Sequence, residues 1–385
     1  MGLKGQNTQR TKQFNRSLVL KTMLRNGPIS RHQIAELTNL TRGTITYITS
    51  DLLEEGLIQE QGSLPVEKQG AGRKSVALTL RDEAAWVIGM HIGMKEISIG
   101  LVSLNGRVKD VVRSTPSKEF TVDAYLHFIV EELKTFIHRH SDNVITGLGI
   151  GVNGPVDIKK GTVLGNEEEG WPEIPLYDYL QNHFSFPVYV DRDVSSMTLA
   201  EKLFGESKHF DQFMFLYVGR SLGSGLVLND THFRSGISGG GEFAHMTYQP
   251  DGRPCWCGNK GCINEYASLQ ALAEERKSDS IEELTHSILE GNAESIVALE
   301  AAGEKISVPL SSFINIIHVQ RVVIGGPLER YNKVLADLIS REVNNQAYVA
   351  SLQKVDFQAS SLGEYIEVIG AGSLALLNGI YQYKS

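Results

Sequence analysis

Cysteine is nearly absent from this 385-residue chain: there are three, Cys255, Cys257 and Cys262. So small a number argues against a disulfide framework and turns attention to a metal site. No apolar run approaches the roughly 18 residues of a membrane span. The polar start MGLKGQNTQRTK lacks the apolar core of a signal peptide, which predicts a cytoplasmic protein with no membrane partner. Low-complexity tracts, coiled-coil heptads and repeats beyond a two-lobe duplication are missing too, so a dimer has to form through body surfaces. One absence is chemical. The stretch VIGMHIGMKEISIG, Val87 to Gly100, reads as strand, Gly turn and strand, as a phosphate-gripping hairpin begins, yet no carboxylate stands where a metal-nucleotide would need one.

What is present divides the chain by charge. Residues 1–80 hold 11 Lys+Arg against 6 Asp+Glu, leaving 26 against 39 for the remainder. A basic head on an acidic body predicts nucleic acid as the partner of one end only. In the head, NRSLVLKTMLRNG has helical apolar spacing and stops at Asn26-Gly27. Ser30 and Gln33 are spaced as a capping box before Ile34 and Leu37. Thr41 is a good N-cap for TRGTITYITSDLLEEG, with Ile45, Ile48 and Leu52 on one face. Arg42, Thr44, Thr46 and Tyr47 then occupy the start of a recognition helix, with Arg31 at the start of the helix before it. Residues Leu57–Glu60 and Val76–Leu78 read as a two-stranded wing with Arg73 and Lys74 at its tip. The pattern is a winged helix-turn-helix for double-stranded operator DNA. A small helical interaction domain is the alternative, and the basic balance with short polar side chains argues against it.

After Leu80 the pattern turns to strands at 85–93, 96–104 and 108–113, a helix from Val122 to about His138, and VITGLGIGVNGPVD as a buried strand entering a Gly/Pro turn. FMFLYVGRSLGSGLVLND repeats the theme of strand, Gly-rich turn and strand, which predicts two α/β lobes facing a cleft. In HMTYQPDGRPCWCGNKGC, His245 precedes Cys255, Cys257 and Cys262. One imidazole and three thiolates suit a closed, structural Zn²⁺ tetrahedron. Three inert thiols are the alternative, and the intervening Pro and Gly do not read as core.

The order of winged helix, GLGIGVNGPVD, VDRD, SGGGEFAHM and CWCGNKGC resembles the ROK family of repressors, open reading frames and sugar kinases; the head together with GRKS is similar to its repressor branch. The resemblance implies an α/β protein in which an N-terminal winged helix-turn-helix (1–80) precedes a two-lobed actin-like ATPase (ROK) fold. The first lobe would span 81–200, with a C-terminal helix at about 366–385 returning to it, and the second lobe 201–365 with the zinc loop. It implies a sugar held by Asn153 and Gly154, Arg192 and Asp193, and Glu242 and His245, with Glu265 adjacent. His245 would serve both metal and ligand. Asn153, Arg192 and Asn264 depart from the family's Pro, Asn and Glu, and a gained Arg beside a lost acid points to a phosphorylated or acidic sugar unless Arg192 pairs locally with Asp191.

The kinases of the family share Asp-x-Gly-Gly-Thr in the first hairpin; here His91, Met94 and Lys95 replace Asp, Gly and Thr. The expected protein is a sugar-responsive repressor, a homodimer or dimer of dimers, with no catalytic residues. A sugar kinase with a fused DNA-binding head is the alternative, and an interaction scaffold with a degenerate cleft is a third.

Overall fold

The computed structural model describes residues 8–63, 75–117, 121–165, 172–236 and 240–381. In the head, α1 (Thr8–Asn26), α2 (Arg31–Thr38) and α3 (Arg42–Glu54) enclose a core in which Leu20, Ile34, Ile45 and Leu52 are fully buried. The local chemistry starts α2 and α3: Ser30 and Gln33 form a reciprocal capping box, and Thr41 accepts from the Thr44 amide. The short strand β1 (Ile29–Ser30) lies on the wing strands β2 (Ile58–Ser63) and β3 (Val76–Leu80) in the order β1-β3-β2. Ahead of the Ser30 cap, Ile29 pairs with Leu78 and closes the wing onto the helices.

The body is two lobes of matching topology. The first contains β4 (Trp86–Ile92), β5 (Ile97–Ser103), β6 (Val108–Ser114), α4 (Val122–Arg139), β7 (Ile145–Val152), the small ribbon β8 (Val156–Asp157) and β9 (Thr162–Val163), α5 (Leu176–His183), β10 (Val188–Arg192) and α6 (Asp193–Leu203). Its sheet order is β10-β7-β4-β5-β6, with β4 to β6 antiparallel and β7 and β10 parallel to β4. The second contains β11 (Phe213–Val218), β12 (Leu222–Leu228), β13 (Thr231–His232), α7 (Asn264–Ala267), α8 (Leu269–Arg276), α9 (Ile281–Leu289), α10 (Ala293–Ile316), β14 (Arg321–Gly325), α11 (Arg330–Gln346), α12 (Tyr348–Leu352) and β15 (Asp356–Ala359). Its order, β13-β12-β11-β14-β15, repeats the pattern of two hairpins followed by two parallel strands. No helix among the described residues is long and apolar enough to cross a membrane.

The last helix, α13 (Ile366–Leu376), leaves the second lobe and is buried between α6 and the first-lobe sheet. Two strand glycines make room for it. A Cβ at Gly89 would lie 2.1 Å from the Val368 carbonyl oxygen, and one at Gly149 1.8 Å from that of Ala371. Beyond α13 the chain tightens into a π-helical turn, Leu377–Tyr381, rather than extending the helix read from SLALLNGIYQ. Tyr381 is fully buried, donates to the Leu104 carbonyl at 2.7 Å, and accepts from Ser17 of α1 through its own carbonyl. The head core is therefore continuous with the body: Val19, Leu20 and Met23 share one cluster with Val102, Leu376 and Tyr381.

Gly149→Ala is expected to destabilise the protein by about 3 kcal/mol or more, because the new methyl meets backbone that cannot rotate away. Urea unfolding followed by tryptophan fluorescence checks this, and an unchanged midpoint would contradict the packing described.

Candidate ligand cleft and metal loop

Strand ends and turns from both lobes converge on a cavity of about 250 Å³. That is below the roughly 300 Å³ at which pockets for drug-sized ligands begin, and leaves room for one small polar molecule. The end of β7 supplies Asn153 and Gly154, the end of β10 Arg192, the first turn of α6 Asp193, and the loop before the metal site Glu242 and His245; all six line the cavity. Trp256 closes it from the second lobe and meets the His245 ring edge-on, with centroids 5.0 Å apart.

Asp193 is 5% exposed and fully engaged. Its Oδ1 accepts from the Val194 amide at 2.7 Å, and its Oδ2 from Asn153 Nδ2 at 2.9 Å. His91 Nε2 lies 3.5 Å from the same Oδ2, while its Nδ1 lies 3.3 Å from Glu367 in the first turn of α13. Glu367 in turn accepts the hydroxyl of Tyr217 from β11 at 2.9 Å. A string of polar groups thus runs from Asn153 through Asp193, His91 and Glu367 to Tyr217, joining the first lobe, α13 and the second lobe. Sequence reading identified neither Glu367 nor Tyr217, because nothing in local spacing connects residues about 150 positions apart.

Arg192 has a different partner from either one expected of it. Its guanidinium reaches across the cleft to Glu242, with Nη1 at 2.5 Å and Nη2 at 3.2 Å from the two carboxylate oxygens. Only its backbone amide bonds Asp191, at 2.8 Å, and the Asp191 carboxylate pairs with Arg234. The bidentate pair compensates the charge of Arg192, which corrects the inference that this residue makes the cleft positive. Glu265 does not line the cavity; its Oε1 accepts from Asn264 Nδ2 at 3.1 Å. Asn264 Oδ1 accepts from the Leu222 amide at 2.9 Å and so ties the metal loop to the turn entering β12. In the first hairpin Met94 is half-buried, and Lys95 extends outward to Glu282 of the second lobe at 3.0 Å. Arg220 in the second Gly turn bonds Gln270 at 3.0 Å.

Below the cavity His245, Cys255, Cys257 and Cys262 bring their ligand atoms within 4.8 Å of one another. Cys257 and Cys262 sulfurs are 3.7 Å apart, and Cys255 Sγ is 3.6 Å from His245 Nδ1. A tetrahedron built on Zn–S bonds of about 2.3 Å has edges of about 3.8 Å, so the four donors fit a metal ion of that kind. His245 directs Nδ1 to this group while lining the cavity.

On the DNA side, Arg42, Thr46 and Tyr47 are exposed on α3 and Thr44 is half-buried. The Thr46 hydroxyl bonds the Arg42 carbonyl, and Tyr47 receives Lys12 both at its hydroxyl and over its ring. Arg31 does not extend from this face: its guanidinium donates to Thr49 at 3.0 Å and Glu60 at 3.3 Å, locking α2 to α3 and the wing. Arg73 and Lys74 lie outside the described residues.

Burial by itself would push His91 down, but Glu367, the hydrogen bond to Asp193 and the charge of Glu96 outweigh it and hold the imidazole above its ordinary pKa of 6.5. A proton bound more tightly in the folded chain adds stability that is complete below pH 6.5 and fades as pH rises through the folded pKa. His91→Asn removes this contribution, so the stability gap between the two proteins is expected to narrow as pH rises above 6.5 and through the raised folded pKa. An NMR titration placing His91 at or below 6.5 would contradict the geometry.

Comparison with known proteins agrees with this arrangement. The ROK family profile matches residues 87–377, and a winged helix-turn-helix DNA-binding profile matches residues 15–59. The chain is 27% identical to the xylose repressor of Caldicellulosiruptor bescii, covering 95% of this chain and 96% of that protein. It is likewise 27% identical to the DNA-binding transcriptional repressor Mlc of Escherichia coli, over 96% of this chain and 95% of that one. A crystal structure of a ROK family transcriptional regulator, a homologue of the E. coli protein, superimposes with a TM-score of 0.79 at 24% identity, covering 97% of this chain and 98% of the other. With most of its body matched by the family profile, the chain belongs to the ROK family.

Proposed function

We propose that this protein is a DNA-binding transcriptional repressor of carbohydrate-utilisation genes, whose operator affinity changes when a sugar or sugar derivative occupies the cleft between the lobes. The observation that carries the reading is the combination of a docked winged head with a cleft that keeps hydrogen-bonding groups but not phosphate machinery. Asn153, Asp193, Glu242 and His245 converge on one small cavity, whereas the first hairpin presents a buried His91 whose pKa is raised above the ordinary value. Carboxylates and amides suit hydroxyl-rich ligands, since a wrong ligand would leave them unpaired. Phosphoryl transfer relies on electrostatic stabilisation of phosphates and Mg²⁺, which an imidazolium at this point opposes. The names of the relatives support the same direction.

Arg42, Thr44, Thr46 and Tyr47 would face operator DNA together with Arg73 and Lys74, and Arg31 would position α3. In a homodimer, or a dimer of dimers, in the cytoplasm, two heads would contact half-sites one or two helical turns apart. The ligand switches affinity only if it binds one arrangement of heads better than the other. Gly154 gives the ligand backbone access, and Arg192 modulates Glu242. The metal is structural Zn²⁺, held by His245 and the three cysteines, and it supplies rigidity to the loop that orients His245 toward the ligand.

Duplexes recovered from random DNA by the full chain define the operator, and fluorescence anisotropy then measures its affinity against a panel of sugars, sugar phosphates and sugar acids. One ligand class is expected to shift the affinity, and Asp193→Asn or Glu242→Gln to abolish the shift while sparing DNA binding. Arg42→Ala is expected to weaken operator binding by about 1–3 kcal/mol with an unchanged melting temperature. Sugar-dependent ATP turnover in the wild-type chain would instead establish the kinase.

One zinc per chain is the expected metal content, and Cys257→Ser should lose it and melt several degrees lower. Because the ligands bind deprotonated, affinity for Zn²⁺ is expected to fall as pH is lowered. A metal-free protein with wild-type melting behaviour would remove the metal from the proposal.

A further inference from the structure

Asp191 faces away from the ligand cleft that its neighbours Arg192 and Asp193 line, and enters a second cavity of about 770 Å³. Three parts of the molecule build its walls: the end of α1 from the head, the β10 edge and α6 of the first lobe, and the β12–β13 turn of the second. Basic groups converge here. Lys21 and Arg25 come from the head, Lys159 from the β8–β9 turn, Lys202 from α6 and Arg234 from the chain after β13. Asp191 and Asp230 are the only carboxylates among the lining residues.

The ion pairs account for both acids. Arg25 and Lys202 share Asp230, at 2.8 and 2.5 Å, and Arg234 takes Asp191. Burial holds His232 down at about 4, so it is neutral near pH 7 and cannot add to the positive charge. The Lys159 backbone amide donates to Asp157 Oδ1 at 3.0 Å, which leaves the ammonium groups of Lys21 and Lys159 as the basic heads on this wall not tied into the Asp230 and Asp191 ion pairs, Lys21 feeling Asp230 only at longer range. Burial pushes Lys21 below its ordinary value and Arg25 adds to this, against a partial pull upward from Asp230, so both the dryness of the cavity and a neighbouring cation disfavour its charge. An anion would relieve that cost. The other wall is apolar, with Leu199, Leu203, Leu374 and Leu377 beside Tyr177.

We propose that this junction cavity is a second effector site, separate from the sugar cleft, which binds a phosphorylated small molecule with its phosphate at Lys21, Lys159 and Arg25 and its carbon body on the leucines. The phosphate would compete with Asp230 for Arg25, the pair that ties the last turn of α1 to the second lobe. Occupancy would therefore change how the head is held, independently of any ligand in the sugar cleft.

Isothermal titration of the full chain with inorganic pyrophosphate, a probe without sugar hydroxyls, tests the site. Saturable binding is expected to weaken about tenfold or more in Lys21→Ala/Lys159→Ala, which loses two charge-assisted contacts. Lys354→Ala, on the far lobe, and Asp193→Asn, in the sugar cleft, are expected to bind as wild type. Neither ammonium is part of a short ion pair, so the melting temperature of the double variant should not fall below that of the wild type. Equal affinity in the double variant and the wild type, which would place the probe elsewhere, or no saturable binding at millimolar probe, would overturn the proposal. Neither result bears on the sugar response.

Discussion

The close approach of α13 to the backbone of β4 and β7 is the contact on which the rest of the molecule depends. Carbonyls of α13 occupy the space where side chains of Gly89 and Gly149 would be. On its other face Gly370 rests against the backbone of α6, where a Cβ would come within 2.8 Å of the Met197 amide. With helix and sheet in backbone contact, neither can slide without overlap, since packed interiors have few voids to absorb a shift. The register of that contact places Glu367 beside His91, and the turn after it places Tyr381 under the head. One packing decision thereby fixes both the cleft floor and the attachment of the DNA-binding domain.

The same register explains why the two lobes are joined by charges rather than by apolar surface alone. Glu367 accepts from Tyr217 of the second lobe while facing His91 of the first, and Arg192 grips Glu242 across the cleft mouth. Pairs with one exposed member contribute modestly to stability, so their importance is geometric. A ligand that takes Glu242 must take it from Arg192, and in doing so it alters a bond between lobes. On the proposed function, ligand recognition and lobe position would be coupled through this shared carboxylate, the differential interaction that a switch requires. The head joins this system through Arg25 and Asp230, where the β12–β13 turn of the second lobe meets α1.

Local chemistry was the legible part of the sequence. The capping box at Ser30 and Gln33, the Thr41 cap and the apolar face of α3 are written in residues three or four apart, and each appears in the fold. The metal cluster was legible because its four ligands lie within eighteen positions of one another. Partnerships that depend on where distant segments meet were not legible. Arg192 has an acid next to it in sequence yet pairs with one fifty positions away, because β10 ends at the cleft and turns the side chain outward. Arg31 reads as a DNA contact by charge and position, but the wing brings Glu60 within its reach. The large junction cavity left no trace at all in local pattern, since its walls come from the head and both lobes.

His91 stands where the resemblance to the family's kinases implies a carboxylate. A carboxylate at this point beside Asp193 would make a pair of acids with an affinity for divalent cations, as hard oxygen ligands have. An imidazole whose pKa is raised favours the opposite local field: it lies between Asp193 and Glu367 and, when protonated, compensates both. The inversion is self-consistent only because Glu367 is supplied from α13, for a buried imidazolium facing one acid would be poorly compensated. On the proposed reading, the polar network of Asp193, His91, Glu367 and Tyr217 would serve the response to a small ligand rather than phosphoryl transfer.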